Sequence, residues 1–386
     1  MKILTVGGGS GGHVTPVAAV INELKTQQRD VEVQFWCDKR FGQQARNIMK
    51  HVLVEVTVKT VVAGKLRRYH GVSLWRQALD LPTVIKNTTD VFKILVGFIQ
   101  SFTRMLFWRP DVVFMKGGFV CLPVGFAAHI LRIPLIIHDS DTLPGLTNRV
   151  LARYASRILT GAPLENYSYS SERAEYVGIP VDAEFYPRND DDKRRIKKEL
   201  HLDPDLPLLV VTGGGLGALR INQALLAIAP MLKGIASVVH IAGARDVEMV
   251  KQRAPKDSAY KVFGFVSEGM PQLFGAADVV ITRAGANTLQ ELAASAAPTI
   301  IIPNGFLTGG HQLKNAAVFE RAGAAIVLDE PAMADYPEIL FDAISALLES
   351  PDKRQQLAAA IHSFARPDAA KKSASVIIKT AKKHRR

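Results

Sequence analysis

The sequence predicts an α/β protein made of two doubly wound, Rossmann-like domains. Short β-branched runs alternate with helical segments through both halves of the chain, which is typical of parallel sheets covered by helices. A strand, a glycine-rich turn and a helix stand at residues 2–25 and recur in the same order at residues 206–232. The 386 residues also exceed what one ordinary core holds, so we expect two sheets, each with a glycine turn after its first strand.

The first half contains apolar runs that are typical of parallel strands buried on both faces. They are the segments KILTV (2–6), VEVQFWC (31–37), PDVVFM (110–115), PLIIH (134–138) and SRILT (156–160). The segment PVAAVINELK (16–25) has helical spacing and opens with a proline, which suits the first turn of a helix. This alternation predicts a parallel sheet with helices on both faces.

The second half repeats the alternation after the charged segment RNDDDKRRIKKEL (188–200), which we expect to form a loop. Its predicted strands lie within residues 206–212, 237–243, 278–286, 298–303 and 324–328. We place the domains at residues 1–180 and 181–364, followed by a C-terminal helix with a basic tail at 365–386. The carboxyl ends of both sheets are expected to face a cleft, because such sheets bind ligands at that end.

Composition narrows the functional classes. Cys37 and Cys121 stand far apart in apolar contexts and are expected to be buried thiols. The N-terminal residues do not resemble a signal peptide, and no run reaches the ~18 apolar residues of a spanning helix, which predicts a cytoplasmic protein. The formal net charge of +12 favours an anionic partner such as nucleic acid, a membrane surface or a polyphosphate substrate. Nucleic acid is the least favoured of the three, because no nucleic-acid-binding motif accompanies the charge.

The segment GGGSGGH, which ends at His13, is a phosphate-loop pattern. Gly7, Gly9 and Gly12 satisfy G-x-G-x-x-G and Asp38 follows the next predicted strand, which would suit a nicotinamide enzyme. A P-loop is excluded because no G-K-[ST] follows. The motif alone is also compatible with a tight turn that binds nothing, and His13 with a capping or packing residue.

The C-terminal half adds polar groups at predicted strand ends. In TRAGANTLQELAA (282–294), the N–H groups and dipole of a helix that begins at Gly285 and Ala286 can hold a diphosphate without a metal. Glu291 follows about one and a half turns later, where a carboxylate can accept hydrogen bonds from a ribose diol. Three side chains after the next strand suit sugar hydroxyls: His311, Gln312 and Asn315. Each piece alone is an ordinary loop or cap, but together they predict a sugar-nucleotide site.

Five segments, in this order, resemble the MurG family of bacterial N-acetylglucosaminyltransferases: GGGSGGHVTP, KGGFVCLPV, IIHDSDTLPGLTNRVLA, RAGANTLQELAA and HQLKNA. The resemblance continues to RPDAAKKSASVI (366–377) and so covers nearly the whole chain. It implies a two-Rossmann (GT-B) fold whose last helix crosses back to the first domain. It also implies inverting transfer of N-acetylglucosamine from UDP-N-acetylglucosamine to the undecaprenyl-pyrophosphoryl-muramoyl-pentapeptide lipid (lipid I to lipid II), without a metal cofactor.

The resemblance implies roles for residues of the first domain. His13 would be the general base that activates the acceptor hydroxyl. Ser10, Gly11 and Gly12 would contact the donor sugar, in a loop that also faces the acceptor pyrophosphate.

The resemblance implies the remaining donor contacts in the second domain. Backbone at Gly285 and Ala286 would hold the UDP diphosphate, and Glu291 would bind the ribose. Backbone near Val266 would contact the uracil edge, and Gln312 would bind the sugar hydroxyls.

Three positions depart from the family pattern. HEQN becomes HDSD, which puts Asp141 where an asparagine amide contacts the donor sugar. GNPVR becomes GIPVD, which puts Asp182 where an arginine is usual, and GGSQG becomes GGGLG, so that Gly215 lacks the serine hydroxyl expected near the phosphates. Asp139 and Asp141 formally spell D-x-D, a metal signature of the other major glycosyltransferase fold, which we interpret as coincidence. These departures leave the donor and acceptor identities open.

Three alternatives stay open beside lipid I glycosylation. One keeps the fold and uses another membrane lipid as acceptor, such as diacylglycerol. A second is a UDP-N-acetylglucosamine 2-epimerase, whose acid and base would have to come from carboxylates such as Asp139, Asp141 and Glu291. The third is a noncatalytic partner subunit.

The segment VFKILVGFIQSFTRMLFW (91–108) predicts where the protein works. Seven apolar residues in it have helical spacing: Phe92, Leu95, Phe98, Ile99, Phe102, Leu106 and Phe107. About half of them are expected in the core, and the rest to lie on an anionic membrane surface, helped by nearby cations. Those cations are Lys65, Arg67, Arg68, Lys86, Lys93, Arg104 and Arg109, together with the tail KKHRR (382–386). The segment therefore predicts a peripheral protein on the cytoplasmic face of the bacterial cell membrane.

Overall fold

The computed structural model describes residues 1–8, 11–65, 80–141, 144–214, 217–266, 268–305 and 310–385. The chain divides into two compact units. One contains Met1–Asp182 together with Arg366–Arg386, and the other contains Ala183–Ala365. Each unit has its own parallel sheet and its own apolar core on both faces of that sheet.

The first unit is built on a parallel sheet of seven strands. They are β1 (Lys2–Val6), β2 (Glu32–Asp38), β3 (Val56–Val61), β4 (Val112–Met115), β5 (Leu135–Asp139), β6 (Arg157–Thr160) and β7 (Ala174–Tyr176). Their spatial order is β3-β2-β1-β4-β5-β6-β7, so the order reverses between β1 and β4. The carboxyl ends of these two strands therefore flank the crevice in which doubly wound sheets bind ligands.

Five helices in the described part of this unit precede the second unit in the chain. They are α1 (Thr15–Gln27), α2 (Gly42–Met49), α3 (Leu81–Phe107), α4 (Cys121–Ile130) and α5 (Leu146–Leu151). Alternate strand residues face opposite helix layers: Ile3 packs in the cluster that contains α1, whereas Leu4 packs in the cluster that contains α4. Both faces of the sheet are thus buried, which explains the continuous apolar runs of the sequence.

The second unit repeats the plan with six parallel strands. They are β8 (Leu208–Thr212), β9 (Ser237–Ile241), β10 (Tyr260–Phe263), β11 (Val279–Thr282), β12 (Thr299–Ile301) and β13 (Ile326–Val327). The spatial order β10-β9-β8-β11-β12-β13 again reverses after the first strand of the unit, between β8 and β11. Two doubly wound sheets, as predicted, are therefore present.

Nine helices belong to the described part of the second unit. They are α6 (Asp190–Glu199), α7 (Leu219–Ile228), α8 (Val247–Arg253), α9 (Met270–Ala276), α10 (Ala286–Ser295), α11 (His311–Arg321), α12 (Glu330–Asp335), α13 (Glu338–Leu348) and α14 (Pro351–His362). The described residues also include short 3-10 turns at Gly11–His13, Leu164–Asn166 and Ala229–Leu232.

The charged segment 188–200 forms helix α6, so the prediction of a loop there is wrong. The Asn189 side chain caps the helix by accepting a hydrogen bond from the N–H of Asp192 at 2.8 Å. Aspartates fill the first turn and lysines the last, which complements the helix dipole. Ile196 is buried, and the ammonium of Lys197 lies 3.0 Å from the carboxylate of Asp278.

Helix α15 (Ala369–Arg385) is the last element and belongs to the first unit. It packs on α1, where the Gln27 amide donates to the carbonyl of Lys371 at 3.0 Å. Its buried residues Ala374 and Ile377 belong to the same apolar cluster as α1. The C-terminal helix is thus an integral part of the first core.

Helix α3 exposes much of its apolar surface. Phe98 and Phe102 are half-buried against the core, whereas other apolar side chains on the helix are more than half exposed. We call the exposed stripe the α3 apolar face; it consists of Ile85, Phe92, Leu95, Val96, Ile99 and Leu106. The helices of the described ranges include none long and apolar enough to cross a bilayer.

The cations expected beside this helix are not all directed to solvent. Arg104 donates to the carbonyl of Thr60 at 2.8 Å and lies over the ring of Trp36, so its inclusion among surface cations is wrong. Lys93 forms an ion pair with Asp90 at 2.9 Å. Lys86 is exposed on α3, and Arg109, which is also exposed, donates to the carbonyl of Leu131 at 3.0 Å. Lys65 lies within the described residues, whereas Arg67 and Arg68 lie outside them.

The two cysteines are free and buried, as predicted. Burial raises the pKa of the Cys37 thiol and that of the Cys121 thiol to about 12. Both therefore remain protonated and unreactive at neutral pH.

Candidate functional site

The crevice edge of the first sheet carries a cluster of ionisable side chains. His13 follows β1 through the 3-10 turn Gly11–His13, and Lys116 directly follows β4. Asp139 is the last residue of β5, and Ser140 and Asp141 follow it. Because β1, β4 and β5 are neighbours in the sheet, their carboxyl ends bring these residues to one edge.

His13 is held as a single tautomer. Its Nδ1 lies 3.3 Å from the carbonyl oxygen of Lys116. A carbonyl only accepts hydrogen bonds, so Nδ1 carries the hydrogen and Nε2 keeps its lone pair. Burial and, to a smaller extent, the Lys116 charge together lower the pKa of His13 to about 4, while Asp141 and the hydrogen bond to the Lys116 carbonyl oppose them. The ring is therefore neutral at pH 7 and able to accept a proton at Nε2.

Lys116 was not predicted as a site residue. Its side chain is 2% exposed, and Nζ donates a hydrogen bond to Oγ of Ser140. Burial lowers the pKa of Lys116 to about 7, although Asp141 and Asp139 both favour its charged form. A lysine directly after a buried strand is unusual, and this position in the sequence could have indicated a site residue. Sequence analysis assigned it only to a segment of the family pattern.

Asp139 is buried and fully engaged by side chains of the same unit. Its Oδ1 accepts from the Asn148 amide and its Oδ2 from the Tyr169 hydroxyl, each at 2.6 Å. Burial raises the pKa of Asp139, while both hydrogen bonds and the Lys116 charge favour the carboxylate. Neither Asn148 nor Tyr169 was predicted as a site residue, because nothing in their local sequence indicates that they contact this strand end.

The predicted residues of the first unit lie as follows. Asp141 is half-buried beside the cluster, and its carbonyl accepts from the Tyr167 hydroxyl at 2.8 Å. Gly11 and Gly12 form the turn that leads into His13. Ser10 lies outside the described residues. The structure thus brings His13 and Asp141 together and adds Lys116 to them.

The predicted diphosphate site of the second unit lies at the amino end of α10. Gly285 is the capping residue with extended backbone, and Ala286 is the first helical residue. Glu291 is half-buried farther along the same helix, and Val266 is half-buried after β10. Gly285 carries no capping side chain, so the first N–H groups of this ten-residue helix have no side-chain cap.

The three polar residues after β12 have different contacts. Asn315 is buried and donates to the carbonyl of Ala284 at 3.1 Å. Gln312 is buried, and its Oε1 accepts from the N–H of Asn304 at 2.8 Å, so that Nε2 is its donor end. His311 is half-buried at the first position of α11. Asn315 and Gln312 therefore fix the backbone after two neighbouring strands, β11 and β12.

A buried ion network under the same strand ends was not predicted. Arg283 follows β11, donates to the carbonyl of Ile302 at 3.1 Å and forms an ion pair with Glu330. The second oxygen of Glu330 lies 3.6 Å from Arg220, near the start of α7. Glu330 thus connects the start of α7 with the turn before α10. The three residues are far apart in the sequence, so their contact could not be predicted from local patterns.

The glycine turn after β8 lies against the end of β9. Gly217 has φ of +76°, and a β-carbon there would lie 2.6 Å from the carbonyl oxygen of Ala242. Asn222 donates to the same carbonyl at 2.9 Å and accepts from His240, whose other ring nitrogen accepts from Tyr260. Gly215 lies outside the described residues.

Known proteins resemble this chain along most of its length. The model of the glycosyltransferase family 28 N-terminal domain matches residues 3–160, and that of the family 28 C-terminal domain matches residues 208–373. A UDP-N-acetylglucosamine–N-acetylmuramyl-(pentapeptide) pyrophosphoryl-undecaprenol N-acetylglucosamine transferase of Clostridium kluyveri is 36% identical over 350 residues. That alignment covers 90% of this chain and 91% of the relative.

Solved structures show the same fold. Acinetobacter baumannii MurG superposes with a TM-score of 0.69 at 24% identity and covers 98% of this chain and 99% of its own. A UDP-N-acetylglucosamine 2-epimerase superposes with a TM-score of 0.63 at 12% identity, with 97% and 94% covered. The architecture is therefore common to transferases and epimerases, so the fold by itself does not separate these activities.

Proposed function

This chain belongs to the family of UDP-N-acetylglucosamine–N-acetylmuramyl-(pentapeptide) pyrophosphoryl-undecaprenol N-acetylglucosamine transferases, and on that premise we propose its activity. It transfers N-acetylglucosamine from UDP-N-acetylglucosamine to the lipid-linked muramyl-pentapeptide, a step of peptidoglycan synthesis. The observation that carries the proposal is the 36% identity to such an enzyme over 90% of the chain. The matched family models, at residues 3–160 and 208–373, include both strand-end sites.

His13 is the general base of the proposed reaction. Its bare Nε2 takes the proton of the acceptor hydroxyl as that oxygen attacks the anomeric carbon of the donor. The bond from the anomeric carbon to the UDP oxygen breaks, and attack from the opposite face inverts the configuration. The support for this role is the neutral ring and the fixed tautomer of His13.

The second unit holds the leaving group in this proposal. The uncapped N–H groups at Gly285 and Ala286 and the dipole of α10 stabilise the charge that develops on the diphosphate, so no metal ion is required. Glu291 accepts hydrogen bonds from the ribose, and backbone at Val266 binds the uracil. Gly215 has no side chain and could offer the phosphates only its backbone N–H.

Polar side chains and a glycine loop are the proposed contacts to the donor sugar. Gln312 binds hydroxyls through its Nε2, while His311 lies beside it at the start of α11. Asn315 acts through the backbone that it holds at Ala284. In the first unit, Asp141 and the loop of Ser10, Gly11 and Gly12 face the sugar.

The α3 apolar face binds the anionic surface of the membrane that carries the acceptor. Phe92 is 65% exposed and Ile99 is 55% exposed on a helix of 27 residues. An amphipathic helix of this kind lies in the plane of the interface, and cations near an anionic leaflet contribute about 1 kcal/mol each. Lys86 and the net charge of +12 provide such cations. We place the enzyme peripherally on the cytoplasmic face of the bacterial cell membrane.

A transfer assay tests the proposal. Radiolabelled UDP-N-acetylglucosamine is incubated with lipid I, with diacylglycerol or without acceptor, and the products are separated. Label transferred to lipid I supports the proposal. Label transferred to diacylglycerol alone would replace the acceptor, and conversion of the donor to its 2-epimer without acceptor would replace the reaction.

His13→Ala tests the general base. We expect UDP binding to persist, because His13 lies in the first unit, whereas turnover falls by ~10²–10⁴-fold. His51→Ala, an exposed histidine after α2, is the matched control and keeps full turnover. Normal turnover in His13→Ala would return His13 to the role of a packing residue.

A further inference from the structure

Lys116 connects the candidate base with the carboxylates of β5. It is one of the largest fully buried side chains of the chain, at 2% exposure, and it stands between two neighbouring strand ends. A lysine is almost never buried to this extent without a partner. The mechanism proposed above gives Lys116 no part, although both its backbone and its side chain contact site residues.

The backbone of Lys116 holds the His13 ring through a hydrogen bond. The carbonyl of Lys116 accepts from Nδ1 of His13 at 3.3 Å. The next residue, Gly117, has φ of +104°, and a β-carbon there would lie 3.5 Å from Cε1 of the same ring. The left-handed turn after β4 therefore directs one carbonyl at the imidazole and leaves space for the ring beside it.

The side chain of Lys116 extends toward β5. Its Nζ donates to Ser140, which lies between Asp139 and Asp141 in the chain. These two carboxylates favour the ammonium form of Lys116, and buried His138 of β5 experiences its charge. The charged groups that act on His13 are Lys116 and Asp141, from the ends of β4 and β5. Tyr167 and Tyr169 complete the cluster through Asp141 and Asp139.

We propose that Lys116 is a positioning residue for His13, whose carbonyl selects the tautomer and whose ammonium group opposes protonation of the ring. Asp141 favours the protonated ring, in which Nε2 has no lone pair, and so works against the effect of burial. The ammonium group, fixed at Ser140, counteracts this effect of Asp141. The consequence for catalysis rests on the proposed function, but the charge state of His13 does not.

The experiment follows the His13 ring by NMR in the full chain. Resonances are recorded from about pH 4.5 to 8 for the wild type, Lys116→Met and Lys116→Arg, with His13→Gln to identify the signal. The wild-type ring is neutral over most of this range and begins to titrate only at its acid end, since burial and Lys116 hold its pKa at about 4. Lys116→Met should raise the midpoint by about one pH unit or more, whereas Lys116→Arg, which keeps the charge, should not.

Activity adds a second readout. The acid limb of kcat/KM should move to higher pH in Lys116→Met, because protonated His13 cannot accept the acceptor proton. If the His13 titration moves and the acid limb does not, the role of Lys116 stands and His13 is not the base. An unchanged His13 titration in a folded Lys116→Met protein overturns the proposal. Lys116→Gln keeps a donor for Ser140 and provides the same comparison if the methionine variant fails to fold.

Discussion

Gly97 of α3 and Val62 touch through their backbones: a β-carbon on Gly97 would overlap the carbonyl oxygen of Val62. The N–H of Val62 donates to the Gln100 side chain at 3.0 Å, so the helix and the segment after β3 are joined at two points. The position of α3, and with it the α3 apolar face, therefore depends on a residue without a side chain.

Gly97→Ala should destabilise the first unit. The added methyl group has to displace either α3 or the segment after β3, which we expect to lower the free energy of unfolding by about 1–3 kcal/mol. Urea unfolding followed by circular dichroism measures this. Thr103→Ala, on the exposed side of the same helix, should change stability little; an equal loss in both variants would show that the contact with Val62 is unimportant.

The α3 apolar face should control membrane binding. Phe92→Ser with Ile99→Ser removes two exposed apolar side chains, at about 1.5–3 kcal/mol for each side chain that is buried on binding. Flotation with anionic vesicles at low salt should show strongly reduced binding, and higher salt should weaken the wild type as well. Tyr336→Ser, a 66% exposed residue of the second unit, is the control. Wild-type protein that does not float at low salt contradicts the membrane proposal.

Glu291→Ala should weaken UDP binding. Loss of the carboxylate leaves the ribose hydroxyls without a charged acceptor, which costs about 1–3 kcal/mol. Isothermal titration calorimetry with UDP measures the change, and Glu320→Ala on the exposed surface of α11 serves as the control. Affinity equal to the wild type would place the ribose elsewhere.

UDP binding should not depend on a metal ion. The amino end of α10 provides N–H donors and a positive dipole, which replace a cation at the diphosphate. Calorimetry with UDP in EDTA and in excess Mg²⁺ should therefore give the same affinity. Loss of binding in EDTA alone would refute this site and would favour a metal site at the D-x-D sequence of Asp139 and Asp141.

The stability of the second unit should fall in acid because of His240. Burial lowers the pKa of this histidine to about 4, against about 6.5 in the unfolded chain. Below pH 6.5 the unfolded state binds a proton that the folded state excludes, so this contribution is complete above 6.5 and is lost as the pH falls toward 4. Urea unfolding at several pH values should show a loss of up to about 3 kcal/mol from this group.

His240→Gln provides the matched comparison for the pH effect. The glutamine can still contact Tyr260 or Asn222 but does not titrate, so the difference in stability between wild type and variant should shrink from pH 6.5 to 4. A difference that stays constant over this range would assign the acid sensitivity to other groups.

The fold was predictable where local patterns reflect burial. β1 and β8 are buried on both faces, so their sequences are continuous apolar runs followed by glycine turns. This pattern predicts a buried parallel strand directly. β3 was missed because its residues are mostly half-buried and include a lysine. The loop prediction for residues 188–200 was wrong because it was based on the high charge of the segment. Two features that stabilise α6 were overlooked: the Asn189 cap, and the placement of aspartates in the first turn and lysines in the last.

The site was predictable only in part, for a different reason. His13, Gly285 and Glu291 follow strand ends within recognisable segments, so their region of the fold could be inferred. Tyr169 donates a hydrogen bond to Asp139, and the charge of Lys116 acts on the same carboxylate. Both interactions join elements that are distant in the sequence. The inward contacts of Asn315 and Gln312 likewise depend on how α11 packs, which spacing alone does not specify.

The return of α15 to α1 makes the first unit discontinuous in the chain, with the second unit inserted into it. A nascent chain that leaves the ribosome can complete the inserted unit before the enclosing one, because the α1 side of the first core lacks Ala374 and Ile377 until they are translated. During that interval the first unit exposes apolar surface that a chaperone can bind. Synthesis order therefore predicts that the base-bearing unit matures last, after the sugar-nucleotide unit is already folded.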